Sequence, residues 1–300
     1  MATHTSTGIV FPSVDLQTKV LALMSLQGQY SSTQESYKNE LLELDKKYLA
    51  YYHSPIFNRR KEIITGSSQP TAHEVEAGVT ESRNGDPTGV PLPPTSNKDE
   101  PPQVGIPEFW LTALKHTTEI KPTIEKKDEA ALKHLTDITF SYLPNPGRGF
   151  QLTFSFSKND FFTNEHLYKT YYYSGYSNYI NRAVGCKINW KGRNDLTRTI
   201  LTEPRNNGRV ISKICAAESF FNFFDPSRPP SEEAVNSGIM TPEEFVAIED
   251  RIELDHRIGI DLKDKIIPRA IEYYMGTNMM YPLGEPDSED KSGDERKRFK

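Results

Sequence analysis

The sequence predicts an α+β fold in which a long helix precedes a domain built on an antiparallel sheet flanked by helices. Three patterns predict it. Apolar residues recur at heptad-like spacing between residues 30 and 51, apolar and polar residues alternate strictly from Phe150 to Phe156, and a helical periodicity returns between residues 243 and 275. Because helices lie at both ends and strands between them, helices and sheet are expected to be segregated.

The N-terminal stretch from residue 14 to 65 is predicted to be helical, and its part from 34 to 65 would be roughly 45 Å long. Pro55 is expected to kink or interrupt it. The helix must bury its apolar stripe against either its own domain or a second copy of the chain. No second long heptad segment lies nearby in the sequence, which favours the second copy. The stripe consists of Tyr37, Leu41, Leu44, Tyr48 and Tyr51.

Residues 67–104 are rich in proline and poor in large apolar residues, a composition typical of a flexible linker or insertion. This stretch separates an N-terminal segment, residues 1–66, from a globular domain, residues 105–276. Residues 277–300 mix charges of both signs and are predicted to form a disordered tail.

Within the globular domain the patterns predict short helices followed by an antiparallel meander and a final helix. Asn207 and Gly208 lie between two apolar stretches and indicate a hairpin turn. Pro268 is expected to perturb the last helix. The predicted helices are 109–114, 127–136 and 243–275, and the predicted strands are 138–143, 150–156, 169–174 and 186–190.

Neither composition nor motifs indicate an enzyme. The chain has no P-loop, no GxGxxG, GxSxG or HExxH motif, and no histidine pair at helical metal-binding spacing. Cys186 and Cys215 are interpreted as free thiols of a reducing compartment. The net charge of −5 argues mildly against a dedicated nucleic-acid binder. We therefore expect a soluble, intracellular, non-enzymatic protein without a cofactor, a metal, a membrane contact or sequence-specific nucleic-acid binding.

The charge is unevenly distributed. Residues 231–264 hold ten acids and three bases, which leaves about −7 in this stretch. The pattern fits a solvated helix face, or a docking surface for a basic protein. The acids are Glu232, Glu233, Glu243, Glu244, Glu249, Asp250, Glu253, Asp255, Asp261 and Asp264.

The region 191–213 has the opposite sign. Its bases include Arg205, Arg209 and Lys213, close to the predicted hairpin turn. Charged side chains on an edge hairpin block aggregation. The functional alternatives are a nuclear-import signal and a DNA contact.

Several segments, in order, resemble the nucleosome assembly protein family. GIPEFWLTAL at 105–114 is similar to the opening of the family's domain, and the stretch 150–173 is similar to its central strands. ELDKKYLAYYHSPIFNRRKEIITG at 43–66 resembles its dimerisation helix. GCKINWKGRNDLT at 185–197, ESFFNFFDP at 218–226 and IGIDLKDKIIPRAIEYYMG at 258–276 are also similar to it.

The resemblance implies a histone chaperone. Such a protein is a homodimer joined by long antiparallel helices, holds core histones on acidic surfaces, promotes nucleosome assembly, disassembly and histone transport, and shuttles between cytoplasm and nucleus without a cofactor. The stripe from Tyr37 to Tyr51 then becomes the dimer seam. The ten acids become candidate histone contacts, and the three hairpin bases a candidate site for an import receptor.

Family members often carry a long acidic tail, whereas this sequence ends close to neutral. One alternative is a related-superfamily chaperone or dimeric acidic scaffold for a non-histone basic partner. The other is an unrecognised enzyme, which would need a pocket of converging titratable groups.

Overall fold

The computed structural model describes residues 13–83, 103–144, 147–174, 179–204, 210–229, 237–238 and 240–277. Helix α1, Val14–Tyr48, begins where the Ser13 hydroxyl accepts a hydrogen bond from the Leu16 N–H at 3.2 Å. It runs for 35 residues, about 52 Å, and contains no buried residue. The long N-terminal helix is therefore confirmed.

The helix is interrupted where Pro55 predicts it. Leu49–His53 forms a π-helical turn and α2, Ser54–Thr65, follows with Pro55 in its first turn, where a missing N–H costs nothing. Helix α2 ends at Gly66, whose φ of 74° is typical of a glycine C-cap.

The predicted linker or insertion, residues 67–104, contains a further helix, α3, Ala72–Arg83, which its composition did not predict. The helix starts at a capping box: the Thr71 N–H donates to Glu74 Oε2 at 2.7 Å, and the Glu74 N–H donates to Thr71 Oγ1 at 3.2 Å. The Arg59 guanidinium of α2 also binds both Glu74 oxygens, at 2.7 and 2.9 Å. Residues 84–102 lie outside the described residues.

Four strands form an antiparallel meander in the order β1-β2-β3-β4, and two more form a separate hairpin, as the α+β prediction requires. Phe150 pairs with Tyr171, and Leu152 pairs with Phe140 and Lys169. The hairpin strands β5 and β6 pair as expected, although the predicted turn at 207–208 and residues Arg205 and Arg209 lie outside the described residues. The strands are β1 Leu135–Tyr142, β2 Gly149–Phe156, β3 His166–Tyr173, β4 Ile180–Gly185, β5 Arg198–Pro204 and β6 Val210–Ala216.

The prediction of a strand at 186–190 is wrong, because β4 ends at Gly185. Beyond it only Trp190 makes a bridge, with Phe162. The Asn164 side chain binds the Lys187 carbonyl at 3.2 Å and the Asn189 N–H at 2.8 Å, in place of a strand partner. The alternation reflects Cys186, Ile188 and Trp190, which pack against the core from an irregular segment.

Short helices cover the core face of the sheet. They are α4, Phe109–Lys115, a 3-10 turn, Lys121–Thr123, and α5, Lys126–Leu132, which ends earlier than predicted because Leu135 already begins β1. A second 3-10 turn, Phe220–Phe224, places its phenylalanines against Phe154. Asp128 is fully buried and accepts hydrogen bonds from Ser219 Oγ and the Phe220 N–H, at 2.7 and 2.8 Å. This carboxylate ties α5 to the phenylalanine turn.

The C-terminal helix α6, Pro242–Asp261, continues through a π-helical turn, Leu262–Ile266. It breaks around Pro268, as predicted, before α7, Ala270–Met275. A Cβ on Gly259 would lie 2.4 Å from Cζ of Tyr171, so only glycine allows α6 to approach the sheet this closely. The tail was predicted for residues 277–300, and residues 278–300 lie outside the described residues.

Candidate functional site

The predicted seam is exposed within the single chain. Four of its residues lie on α1, and Tyr51 lies in the π-helical turn that follows. The five side chains are between 39% and 73% exposed, while the next face of the helix, through Leu42 and Leu49, turns toward the chain's own domain. Arg148 donates to Asn39 Oδ1 at 2.6 Å on that side, and Tyr142 lies 3.5 Å from Asp45. Packing against the same chain therefore does not cover the seam.

Most of the acids on α6 point to solvent. Ile248, Ile252 and the residues near Gly259 form the inner face of the helix, and Glu243, Glu249 and Asp250 lie on the outer face. These three acids make no ion pair with another described residue. Val246 and Leu254 are exposed among them, so the outer face is a mixture of acidic and apolar side chains.

The other acids of the predicted set either contact groups of the same chain or lie outside the described residues. Glu244 completes the capping box with Thr241, Glu253 pairs with Arg257 at 2.8 Å, and Asp264 contacts Lys263. Glu232 and Glu233 lie outside the described residues. The prediction of a solvent-facing position is wrong for Asp255 and Asp261, because both side chains are largely buried. Asp255 pairs with Lys169, and Asp261 pairs with Lys265 at 2.7 Å.

The ion pair of Lys169 and Asp255 fixes α6 on the sheet. The Lys169 side chain is 0% exposed and Asp255 is 14% exposed, and Nζ donates to Oδ1 at 2.5 Å and to the Phe223 carbonyl. Burial lowers the pKa of Lys169 and raises the pKa of Asp255, while the contact between them favours the charged form of each. The hydroxyl of Tyr171 donates to the Asp255 carbonyl at 3.0 Å.

Sequence reasoning missed Lys169, although a signal was present. Leu167, Lys169 and Tyr171 share one parity in β3, and the two apolar members of that set are buried. A lysine on the buried side of an alternating strand needs a buried acid as its partner. The parity indicates the burial, but it does not identify the acid.

Of the three predicted hairpin bases, Lys213 belongs to the described residues. Lys213 is exposed on β6, beside the exposed cross-strand pair Ile200 and Ile214. Arg198 at the base of the hairpin pairs with Asp195 at 3.4 Å.

The described residues contain no group of three His, Cys, Asp or Glu side chains that could hold a metal ion. Cys186 and Cys215 are free thiols, and burial raises the pKa of Cys186. No helix in the described part of the chain is long and apolar enough to cross a membrane.

Comparison with known proteins agrees with the sequence resemblance. The family model "Nucleosome assembly protein (NAP)" matches residues 18–277. Nucleosome assembly protein 1 of Candida albicans is 38% identical over 88% of this chain and 68% of its own length. The nucleosome assembly protein of Saccharomyces cerevisiae is 36% identical over 89% of this chain, and the chain spans 66% of its length.

The fold agrees as well. The solved structure of nucleosome assembly protein 1 from Plasmodium knowlesi aligns with a TM-score of 0.55 and 24% identity, over 89% of this chain and 99% of that one. Membership in this family also confirms that the chain is not an enzyme. A family match across 260 of the 300 residues shows that this chain belongs to the nucleosome assembly protein family.

Proposed function

We propose that the protein is a histone chaperone that works as a homodimer and promotes nucleosome assembly and disassembly. The observation that carries the proposal is the family match across residues 18–277, together with relatives whose names state nucleosome assembly. The structural features below support the two parts of the proposal, the dimer and the acidic histone-binding face.

The exposed stripe of α1 supports the dimer. A helix of about 52 Å with no buried residue cannot be stabilised by its own propensity alone, because helical stability in proteins comes mostly from tertiary packing. Pairing with a second α1 buries Tyr37, Leu41, Leu44, Tyr48 and Tyr51 in one event, at about 25 cal/mol for each Å² of apolar surface removed from water.

The outer face of α6 supports the choice of a basic partner. Glu243, Glu249 and Asp250 are exposed and carry no paired base among the described residues, so a cationic protein meets uncompensated charge there. Histones bind DNA through cations that neutralise phosphates, and a chaperone must compete for those cations without capturing them irreversibly. Dispersed surface carboxylates provide fast and salt-sensitive attraction of this kind.

Titration with fluorescent core histones across a salt series tests the histone face. The paired reversals Glu249→Lys and Asp250→Lys should weaken binding by roughly tenfold. The matched control reverses Asp160 and Glu165, two exposed acids of the connection between β2 and β3, and should leave the affinity within about twofold. Equal binding of an unrelated basic protein would favour the acidic-scaffold alternative, and no histone binding by a folded dimer would refute the proposal.

The molecular mass of the protein in solution tests whether the seam joins two copies of the chain. The double substitution Leu44→Glu and Tyr48→Glu places four like charges in the paired seam and should yield monomers by light scattering. Lys47→Ala, at an exposed position of the same helix, should leave the dimer intact. A dimer that survives the glutamates would place the interface elsewhere.

We also propose that the protein moves between cytoplasm and nucleus and carries histones, with the hairpin bases Arg205, Arg209 and Lys213 contacting an import receptor. Exposure of Lys213 on β6 of the hairpin supports this role. Replacing the three bases by alanine in a fluorescent fusion should shift the protein toward the cytoplasm. An unchanged distribution, with import intact, would contradict the role of the hairpin.

A further inference from the structure

A groove of about 870 Å³ runs along the edge of the four-stranded sheet. One wall is β4 with its continuation to Trp190. The other wall is the segment 224–229 after the phenylalanine turn, together with Ile252 and His256 of α6. The base of the β5–β6 hairpin, at Asp195 to Arg198, closes one end.

The backbone of β4 faces this groove without a strand partner. Among the described residues β4 pairs only with β3, so the N–H and C=O groups of its other edge have no sheet partner there. At Gly185 the edge is closed, because a Cβ there would lie 1.8 Å from the Phe224 carbonyl oxygen. The stretch of β4 that lines the groove before this point therefore comprises residues 182–184, which reaches the minimum length of a paired strand.

The groove is more basic than the chain around it. Arg182, Lys187 and Arg228 are exposed on its walls and make no ion pair with a described carboxylate. Arg198 adds a fourth base, which pairs with Asp195, and Asp225 is the other acid of the lining. Four bases against two acids, in a chain with a net charge of −5, give this groove a local positive excess.

The floor of the groove is partly apolar. There the ring of Trp190 packs edge to face on that of Phe221. Phe224 and, from α6, Ile252 add further apolar side chains to the lining. A ligand with only charge would leave this floor unused, whereas alternate side chains of an extended peptide can point toward the floor and toward the basic rim.

We propose that this groove binds an extended acidic peptide segment of a partner protein, which adds to β4 as a further strand. The free edge supplies main-chain hydrogen bonds, the basic rim selects acidic side chains, and the apolar floor accepts the alternating apolar ones. Histones are strongly basic, so this site is separate from the proposed histone face and can fail or succeed independently of it.

The test uses the full-length chain and a fluorescent peptide of about ten residues that alternates glutamate and valine. Binding is measured by anisotropy, and hydrogen exchange follows the amides of residues 182–184. The groove variant combines Arg182→Glu with Arg228→Glu. The control variant combines Lys158→Glu with Arg193→Glu, two exposed bases outside the groove, and circular dichroism verifies that both variants fold.

We expect the peptide to bind and to slow exchange in residues 182–184. Its dissociation constant should be at least about tenfold higher in the groove variant and within about twofold in the control. A peptide of the same charge with prolines at alternate positions should bind at least about tenfold more weakly, because proline has no N–H to donate. Equal affinity of the folded groove variant, or equal binding of the proline peptide without protection of β4, would overturn the proposal. Single-stranded DNA that binds more tightly than the peptide and is lost in the groove variant would also overturn it, in favour of a nucleic-acid site.

Discussion

Breaking the ion pair between Lys169 and Asp255 should destabilise the domain strongly, and removing both charges should not. In Lys169→Met the buried carboxylate of Asp255 loses its counter-charge, and the Phe223 carbonyl loses its donor. Such a loss in a buried pair costs about 3–5 kcal/mol. Asp255→Leu leaves the fully buried ammonium without its acid and should cost a similar amount.

The double variant, Lys169→Met with Asp255→Leu, replaces the pair by apolar side chains. Only the Phe223 carbonyl then remains without a donor, at a cost of about 1–3 kcal/mol, so the double variant should be more stable than either single variant. The free energy of unfolding is measured by urea titration at one fixed protein concentration, because dimerisation would make stability depend on concentration. Additive losses in the double variant would refute the coupling, and losses below about 1 kcal/mol in the single variants would refute the burial.

The Lys169→Met variant should also respond to pH. Burial raises the pKa of Asp255 above its ordinary 3.8, so the folded state holds the proton more tightly than the unfolded state. The penalty of the buried carboxylate is therefore present above the raised pKa and is relieved as pH falls through it toward 3.8. Urea titrations of the single and double variants at several pH values should show this recovery only where Asp255 is present.

Three further predictions concern contacts that position helices. Asp128→Ala leaves the buried N–H of Phe220 without its acceptor and should lower the free energy of unfolding by about 2–4 kcal/mol in urea titrations, and a loss under about 1 kcal/mol would contradict its anchoring role. Gly259→Ala puts a methyl group against the ring of Tyr171 and should cost about 1–3 kcal/mol in thermal unfolding, whereas an unchanged melting temperature would mean that α6 lies farther from the sheet. The guanidinium bound to Glu74 lowers the pKa of that carboxyl to about 2, so this contact persists above the ordinary value of 4.5 and weakens as pH falls toward 2. Carboxyl NMR should give that low midpoint, Glu74→Gln should speed hydrogen exchange in α3 at neutral pH, and a midpoint near 4.5 would contradict the contact.

Local periodicity predicted the main elements because burial on one face dictates it. The strict alternation from Phe150 to Phe156 corresponds to β2, in which the apolar residues face the core. The interruption near Pro55 and the break near Pro268 followed from the missing N–H and the fixed φ of proline. These features depend on the residue itself and its immediate neighbours, which is why the sequence reveals them.

Features that depend on distant residues were not predictable in the same way. Helix α3 has a visible capping box at Thr71, yet its position depends on Arg59 of the preceding helix. The segment Cys186–Trp190 alternates like a strand, but Asn164 takes the place of a strand partner there. In both cases a side chain from another element decides whether a local pattern becomes regular structure.

The acids of α6 illustrate the functional consequence of this limit. A count along the sequence gives about −7 for residues 231–264, but Asp255 and Asp261 are largely buried and already paired with lysines. The face that remains combines a few exposed carboxylates with the exposed apolar side chains of Val246 and Leu254. Because salt screens charges but not apolar contacts, histone binding at this face should weaken with salt without disappearing, and its salt dependence should be shallower than the sequence charge suggests.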